Sequence, residues 1–297
     1  MLVKPMSTRP KTYEEALSLL EYYLHEREKI RLAKLGDSHP TSSDPILKKY
    51  RFTNVLRAHD RTTQWGVENI YKPLMAEDAG AEIILLNAGI FRYFGTTDFF
   101  KELGIQRDFQ PEVIIGKARE MRARGQKVFT SAYVITNGGI SLPKEEVVVN
   151  HYIRALYTNI PEILGNYENK FEIYAKRMYQ LKGFGGTGFM TKEVLSDVLL
   201  SGVVDFTDKY EWSPVGPGAL RGLGWMFPNS RHNIPKGDKA VPLLRMIAKD
   251  LKLEPWMPQF GKELDLHGIQ FAMCELDKYA RTLYDGGAPK AIYKPYF

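Results

Sequence analysis

Four glycines, at 183, 185, 186 and 188, fall within the stretch Leu181-Lys182-Gly183-Phe184-Gly185-Gly186-Thr187-Gly188-Phe189-Met190-Thr191-Lys192. Helices are expected on either side, from Tyr167 to Gln180 and from Thr191 to Leu200. Glycine takes positive φ without a Cβ penalty, so this spacing dictates a tight turn between the two. Bare N–H groups in such a turn, beside a helix N-terminus, can approach a phosphate closely. That is the logic of a helix-hairpin-helix, which grips one DNA strand by its backbone. Lys182, Gly183, Gly185, Gly186, Thr187, Gly188 and Lys192 are its candidate backbone contacts. A Gly-rich connection with no ligand fits the glycines alone equally well, because short Gly motifs are a weak signal.

The rest of the chain reads as helical. Thr12-x-x-Glu15 is a capping box, opening a helix that runs to about Leu35 and stops at Gly36. Leu17, Leu20, Leu24 and Ile30 form its apolar side. Arg27, Arg31 and Lys34 make a basic stripe, read as a solvated face. Asp37 to Pro45 is a Ser/Thr/Pro/Asp-rich loop. Ile46 to Tyr71 is expected to hold one or two helices, with Asn54, Arg57, Asp60 or Arg61, and Gln64 on one stripe between large apolar residues. A polar stripe in that setting is costly to bury unless paired. It is either an internal Arg–Asp network or a pocket wall offering guanidinium groups to an anion.

Further helices are expected over Ala79 to Gly104 with a turn, Pro111 to Arg124, and Glu145 to Leu164 with a break at Pro161. Asn87 and Arg92 are polar intruders in the first of these. Arg119, Arg122 and Arg124 read as a solvated face of the second. Lys127 to Thr136 is β-favouring or an irregular buried run, and the residues do not choose between strand and helix. Gly216-Pro217-Gly218 starts a helix with Arg221 on its first turns, a helix N-terminus plus a cation suited to an anion. Asp238 to Leu251 is a helix and Pro255 to Gly261 a loop. The last helix runs from Asp265, its N-cap, to Tyr284, with Asp277–Arg281 as an i,i+4 pair.

At 297 residues the chain is long enough for a substantial core. With 41 basic against 35 acidic side chains it carries +6, a mild balance compatible with a polyanion. The single Cys274 excludes an internal disulfide and a Cys-cluster metal site. No two histidines have metal-ligand spacing on one helix, so no metal site is expected. No long apolar run spans a bilayer and the N-terminus lacks a signal-peptide core. A soluble, cytoplasmic protein with no membrane partner is expected.

Two resemblances extend this reading. Leu-x-Gly-aromatic-Gly, a helix, then Val203-Val204-Asp205 is similar to the core of the DNA glycosylase superfamily. It implies a carboxylate, Asp205, beside a flipped-out base. Thr187 stands where some glycosylases carry a nucleophilic lysine, which argues against lyase chemistry. The second resemblance is carried by Arg-Phe-Thr-Asn-Val-x-Arg-x-x-Asp-Arg (Arg51 to Arg61), Asn-x-x-x-x-Arg-x-Phe (Asn87 to Phe94) and Phe-Thr-x-Ala-Tyr (Phe129 to Tyr133). Trp-x-Pro-x-Gly-Pro-Gly-Ala-x-Arg-Gly-Leu (Trp212 to Leu223) and Cys-Glu-x-Asp-Lys-Tyr-x-Arg (Cys274 to Arg281) complete it. In this order, over about residues 12 to 295, they resemble the α-glutamyl/putrescinyl-thymine pyrophosphorylases. That group includes bacteriophage amino acid:DNA transferases, and it is also similar to the helical domain of 5-hydroxymethyluracil DNA kinases. The chain has no Gly-x-x-x-x-Gly-Lys-Ser/Thr loop, which departs from the kinase arrangement.

The resemblance implies a mainly α, helix-hairpin-helix, glycosylase-like fold. One helical unit over residues 1–297 is expected, with lobes at about 12–140 and 141–297 and the site between them as the alternative. It implies an enzyme that displaces pyrophosphate from the 5-methylene carbon of a pyrophosphorylated 5-hydroxymethyluracil in phage DNA, using an amino acid or polyamine. The base must be flipped out or single-stranded to be reached. Expected leaving-group contacts are Asn54, Arg57, Arg61, Arg92 and Arg221, then Lys278 and Arg281. Asp205, then Asp60 and Asp208, are candidates for the amine's proton. If pyrophosphate leaves first, through an exocyclic methylene, Asp205 orients the amine instead. No cofactor is required, although magnesium on the pyrophosphate is compatible. A 5-hydroxymethyluracil DNA kinase is an implied functional partner. The rival readings are a glycosylase acting on a modified base and a non-catalytic DNA-binding module of a modification complex.

Overall fold

The computed structural model describes residues 8–35, 42–165, 168–253, 264–289 and 291–293. The expected stop at Gly36, most of the 37–45 loop, the start of a helix at Tyr167 and the 255–261 loop lie outside them. The described secondary structure is helical, apart from an isolated bridge between Tyr50 and Ile292. The chain forms two compact units, one of residues 1–60 and 209–297, the other of residues 61–208. The first unit joins the two chain ends, so the division does not fall near residue 140.

The first unit is built around α1 (Tyr13–Leu35) and α12 (Leu266–Tyr284). The capping box forms: Thr12 Oγ1 accepts from Glu15 N at 3.2 Å, and the Glu15 carboxylate accepts from Lys11 N at 2.6 Å. Tyr23 of α1 packs on Tyr279 of α12 and on Phe52, at centroid distances of 5.3 and 5.7 Å. Those aromatic contacts draw the two ends of the sequence into one core. Helix α2 (Pro45–Lys49) is capped by Asp44, whose other carboxylate oxygen accepts from Tyr22 and Tyr279.

Residues 51–56 are not helical, contrary to expectation, and lead into a single 3₁₀ turn at Arg57–His59. Tertiary partners take the backbone groups that a helix would use. Arg51 N donates to Ala291 O (2.9 Å), Thr53 N to Glu275 (3.1 Å) and Asn54 N to Asp60 (2.9 Å). Helix α10 (Pro217–Met226) lies against α12 so closely that a Cβ at Gly222 would sit 2.1 Å from Met273 O. A Cβ at Gly218 would be 3.0 Å from Cys274 Sγ. The glycines of the Gly-Pro-Gly-Ala-x-Arg-Gly motif therefore serve this approach of two backbones. Helix α11 (Val241–Asp250) also packs on α12.

In the second unit α3 runs from Arg61–Gly66 through a π turn at Val67–Tyr71 into Lys72–Ala76. It is followed by α4 (Ala81–Phe94), α5 (Thr97–Leu103) and α6 (Pro111–Ala123). Helix α7 runs from Lys144–Val147 through a π turn at Val148–Ile153 to Arg154–Leu164. Pro161 does not break it: the helix continues to Leu164, within one turn of the proline. Lys127 to Thr136 is irregular. Arg119, Arg122 and Arg124 are half-exposed but pair with Glu146, Glu145 and Glu102. Helices α8 (Phe171–Tyr179) and α9 (Phe189–Ser201) flank the glycine turn. Helix α9 is the central one, buried from Met190 through Val198 and packed on α4.

Candidate functional site

The glycine turn is anchored from within the second unit. Tyr93 donates its hydroxyl to Gly183 O at 2.6 Å, and Thr191 donates to Phe184 O at 2.8 Å. Phe184 is fully buried, edge-on to Tyr93 at 5.3 Å. Gly183, Gly186 and Gly188 have φ of 90°, 66° and 67°. A Cβ at Gly183 would meet the Tyr152 ring at 2.5 Å, while one at Gly186 would meet nothing within 4 Å. Gly183 is therefore needed for packing as well as for φ, and Gly186 for φ alone. Gly186, Thr187 and Lys182 are exposed, and the N–H groups of Gly185, Gly186 and Thr187 bond nothing among the described residues. Exposed Phe189 follows, edge-on to Tyr133 at 5.1 Å. Lys192 departs from expectation: it is 5% exposed, so α9 turns its side chain inward, off the surface of the glycine turn.

Arg92 is also interior. Its side chain is 6% exposed and pairs with the fully buried Asp197 of α9. Nε donates to Asp197 Oδ2 (2.6 Å), Nη2 donates to Thr63 Oγ1 (3.1 Å), and Tyr71 donates to the same carboxylate (2.6 Å). Burial disfavours the guanidinium charge, but Asp197 outweighs it and Arg92 is held protonated above its ordinary range. The guanidinium expected to meet an external anion thus ties α4 to α9. Asp208 is a helix cap: its carboxylate accepts from Phe171 N (2.7 Å) and Glu172 N (3.0 Å) at the start of α8. Asp205 is exposed, on an alternating stretch where Val204, Phe206 and Asp208 point inward. Arg61 is exposed at the first position of α3.

The first unit gathers the remaining expected residues into two clusters along α12. In one, Asp60 accepts from Asn54 N, and burial pushes its carboxyl up despite the opposing pull of Arg57 and Arg27. Asn54 is a turn-holding residue, since its Nδ2 donates to His59 O (2.6 Å) and its Oδ1 accepts from Arg27 (2.6 Å). Arg57 lies over the Phe271 ring at 4.8 Å. Lys278 pairs with Glu275 at 2.6 Å, donates to Arg51 O at 3.2 Å and covers the Phe52 ring at 4.5 Å. Arg27, read from sequence as solvated, is half-buried and also donates to Thr53 O at 2.8 Å. Its i, i+4, i+7 stripe gave no sign of this, because the partner segment lies outside its own helix.

In the other cluster Asp277 collects two arginines. Arg221 Nε donates to Asp277 Oδ2 at 2.8 Å, Arg281 Nε donates to the same oxygen at 3.2 Å, and Trp225 Nε1 donates to Oδ1 at 3.2 Å. Asp277 is 3% exposed, whereas the arginine side chains are 57% and 47% exposed. Two guanidiniums share one carboxylate, leaving a net +1, and their remaining N–H groups bond nothing among the described residues. Such a fixed fork pair is matched to a phosphate or pyrophosphate oxygen edge.

Residues 14–286 match the family model described as 5-hmdU DNA kinase, helical domain. The chain is similar to a 5-hmdU DNA kinase of Bacillus phage SP10, 26% identical over 293 residues, which cover 91% of this chain and 46% of that protein. It spans about half the length of the curated relative it matches. No solved structure matches.

Proposed function

The chain belongs to the family of 5-hmdU DNA kinase helical domains, and on that premise we propose that it is a transferase of phage thymine hypermodification. Its substrate is DNA carrying pyrophosphorylated 5-hydroxymethyluracil, and a 5-hmdU DNA kinase is the functional partner this reading implies. The amine nitrogen of an amino acid or polyamine bonds to the 5-methylene carbon. The carbon–oxygen bond to pyrophosphate breaks, its electron pair leaving on oxygen.

The observation that carries this reading is the pair of outward guanidiniums, Arg221 and Arg281, oriented by the buried Asp277. A leaving pyrophosphate gains charge as it departs, and fixed cations stabilise that charge without reorganising. Arg57, braced on Phe271, adds a further cation in the same unit. The amine must shed a proton, and Asp60 suits the task because burial pushes its carboxyl up and makes it a stronger base. Exposed Asp205 is the second candidate. The bare N–H groups of Gly185, Gly186 and Thr187 take a strand phosphate, a sequence-independent contact that weakens with salt.

The test is direct. DNA containing pyrophosphorylated hydroxymethyluracil is incubated with the protein and a panel of amines, digested, and its nucleosides weighed. A nucleoside heavier by the amine, with free pyrophosphate released, is expected. Abasic sites would show a glycosylase instead, and unchanged masses with every amine would refute catalysis.

A further inference from the structure

Trp225 joins two clusters of the same make-up. Its indole N–H donates to Asp277, the carboxylate that orients Arg221 and Arg281. Its ring meanwhile carries two other guanidiniums, Arg231 at 3.8 Å and Arg9 at 5.9 Å from the centroid. Both of these pair with a second carboxylate, Asp285, Arg231 at 3.5 Å. The arrangement of two arginines on one aspartate thus occurs twice, and one indole connects the two.

The second cluster borders a cavity. Arg9, Gly224, Trp225, Arg231 and His232 help to line a cavity of about 270 Å³. That is small beside the range of about 300–1,000 Å³ for ligand pockets, so it suits a small molecule rather than a nucleic-acid strand. Its charge selects among small molecules. Two guanidiniums against one carboxylate leave the wall net positive, which attracts a carboxylate and repels a polycation. Among the described residues that line the cavity none is acidic, and Asp285, outside the lining, is already paired with both arginines.

We propose that this cavity holds the carboxylate of an incoming amino acid, so that the amine donor is an amino acid rather than a polyamine. The inference rests on the transfer reading above and specifies its second substrate. Arg231 and Arg9 bind the carboxylate, while Trp225 sets the cavity beside the arginine pair that takes the leaving group.

The test separates binding from transfer. The intact protein, without DNA, is titrated calorimetrically with the common amino acids singly, with their amides, and with 1,4-diaminobutane. At least one amino acid should bind, with its amide and the diamine weaker by 10-fold or more, on the order of one charge-assisted hydrogen bond. Arg231→Gln should weaken that binding about 10- to 100-fold, and Arg9→Gln, at a more exposed position, serves as a second variant less exposed to folding defects. Equal binding of acid and amide, tighter binding of the diamine, or no amino-acid binding up to millimolar concentration would overturn the proposal. Amino-acid binding without any transfer to the modified DNA would overturn the transferase reading and leave the cavity assignment standing. Diamine transfer that Arg231→Gln does not alter would do the reverse.

Discussion

Arg92 with Asp197, and Arg221 and Arg281 with Asp277, are the same chemistry placed differently. In the second unit one guanidinium meets one carboxylate in the interior, and Tyr71 and Thr63 help to satisfy the pair. In the first unit one buried carboxylate meets two guanidiniums that stay half in solvent. A one-to-one pair surrounded by protein cancels itself and holds α4 on α9. A two-to-one pair at the surface keeps a charge in excess and fixes its direction. An arginine is therefore open to a ligand when its carboxylate is shared and its outer edge is exposed, and structural when both are consumed.

Substitutions can break this contrast. Asp197→Ala should have the largest effect, because it strands a buried guanidinium: a loss of about 3–5 kcal/mol is expected, read by chemical denaturation. A loss under about 1 kcal/mol would mean that the pair is not a structural tie. Arg221→Gln and Arg281→Gln, each made singly, should change stability by no more than about 1 kcal/mol. Each should slow transfer by about 10²–10³-fold, the scale for removing one donor to developing charge. Single-turnover rates on pyrophosphorylated DNA measure this, and normal rates in both variants would remove the pair from the mechanism.

A smaller effect concerns Asp60, a half-buried carboxylate of the first unit. Burial raises its folded-state carboxyl above the ordinary 3.8, against the pull of Arg57 and Arg27 and with Glu275 adding to the rise. A raised folded value contributes stability that is present below the unfolded value and lost as pH rises through the folded one. Stability should therefore decline as pH climbs from about 4. Asp60→Asn should lack that decline while transfer falls, and denaturant midpoints across pH compare the two proteins. An identical pH dependence in both would assign the decline elsewhere.

The helices were legible because their signals are local. Thr12 with Glu15, Asp265 and Pro111 each act within one turn of the helix start they mark. The segment from Phe52 to Leu56 was not legible, since its apolar spacing suits a helix while its backbone bonds go to Arg27, Asp60, Glu275 and Ala291. Asp197 and Arg27 were missed for a related reason. Nothing in their own helices marks the distant partner that gives them a role.

For the candidate site, helical spacing already paired Asp277 with Arg281, and the helix start at Gly216-Pro217-Gly218 marked Arg221; the fold added Arg221 and Trp225 as further partners of Asp277. The sequence also offered Arg92 as an anion contact and Asp208 as the last of three proton acceptors, and the interior takes them for an ion pair and a helix cap. The sequence by itself determined a helical chain with a glycine turn between α8 and α9, because helix caps and positive φ depend on neighbours along the chain. Which arginines face outward was decided only by tertiary structure, because burial and the sharing of a carboxylate depend on residues brought together from across the sequence.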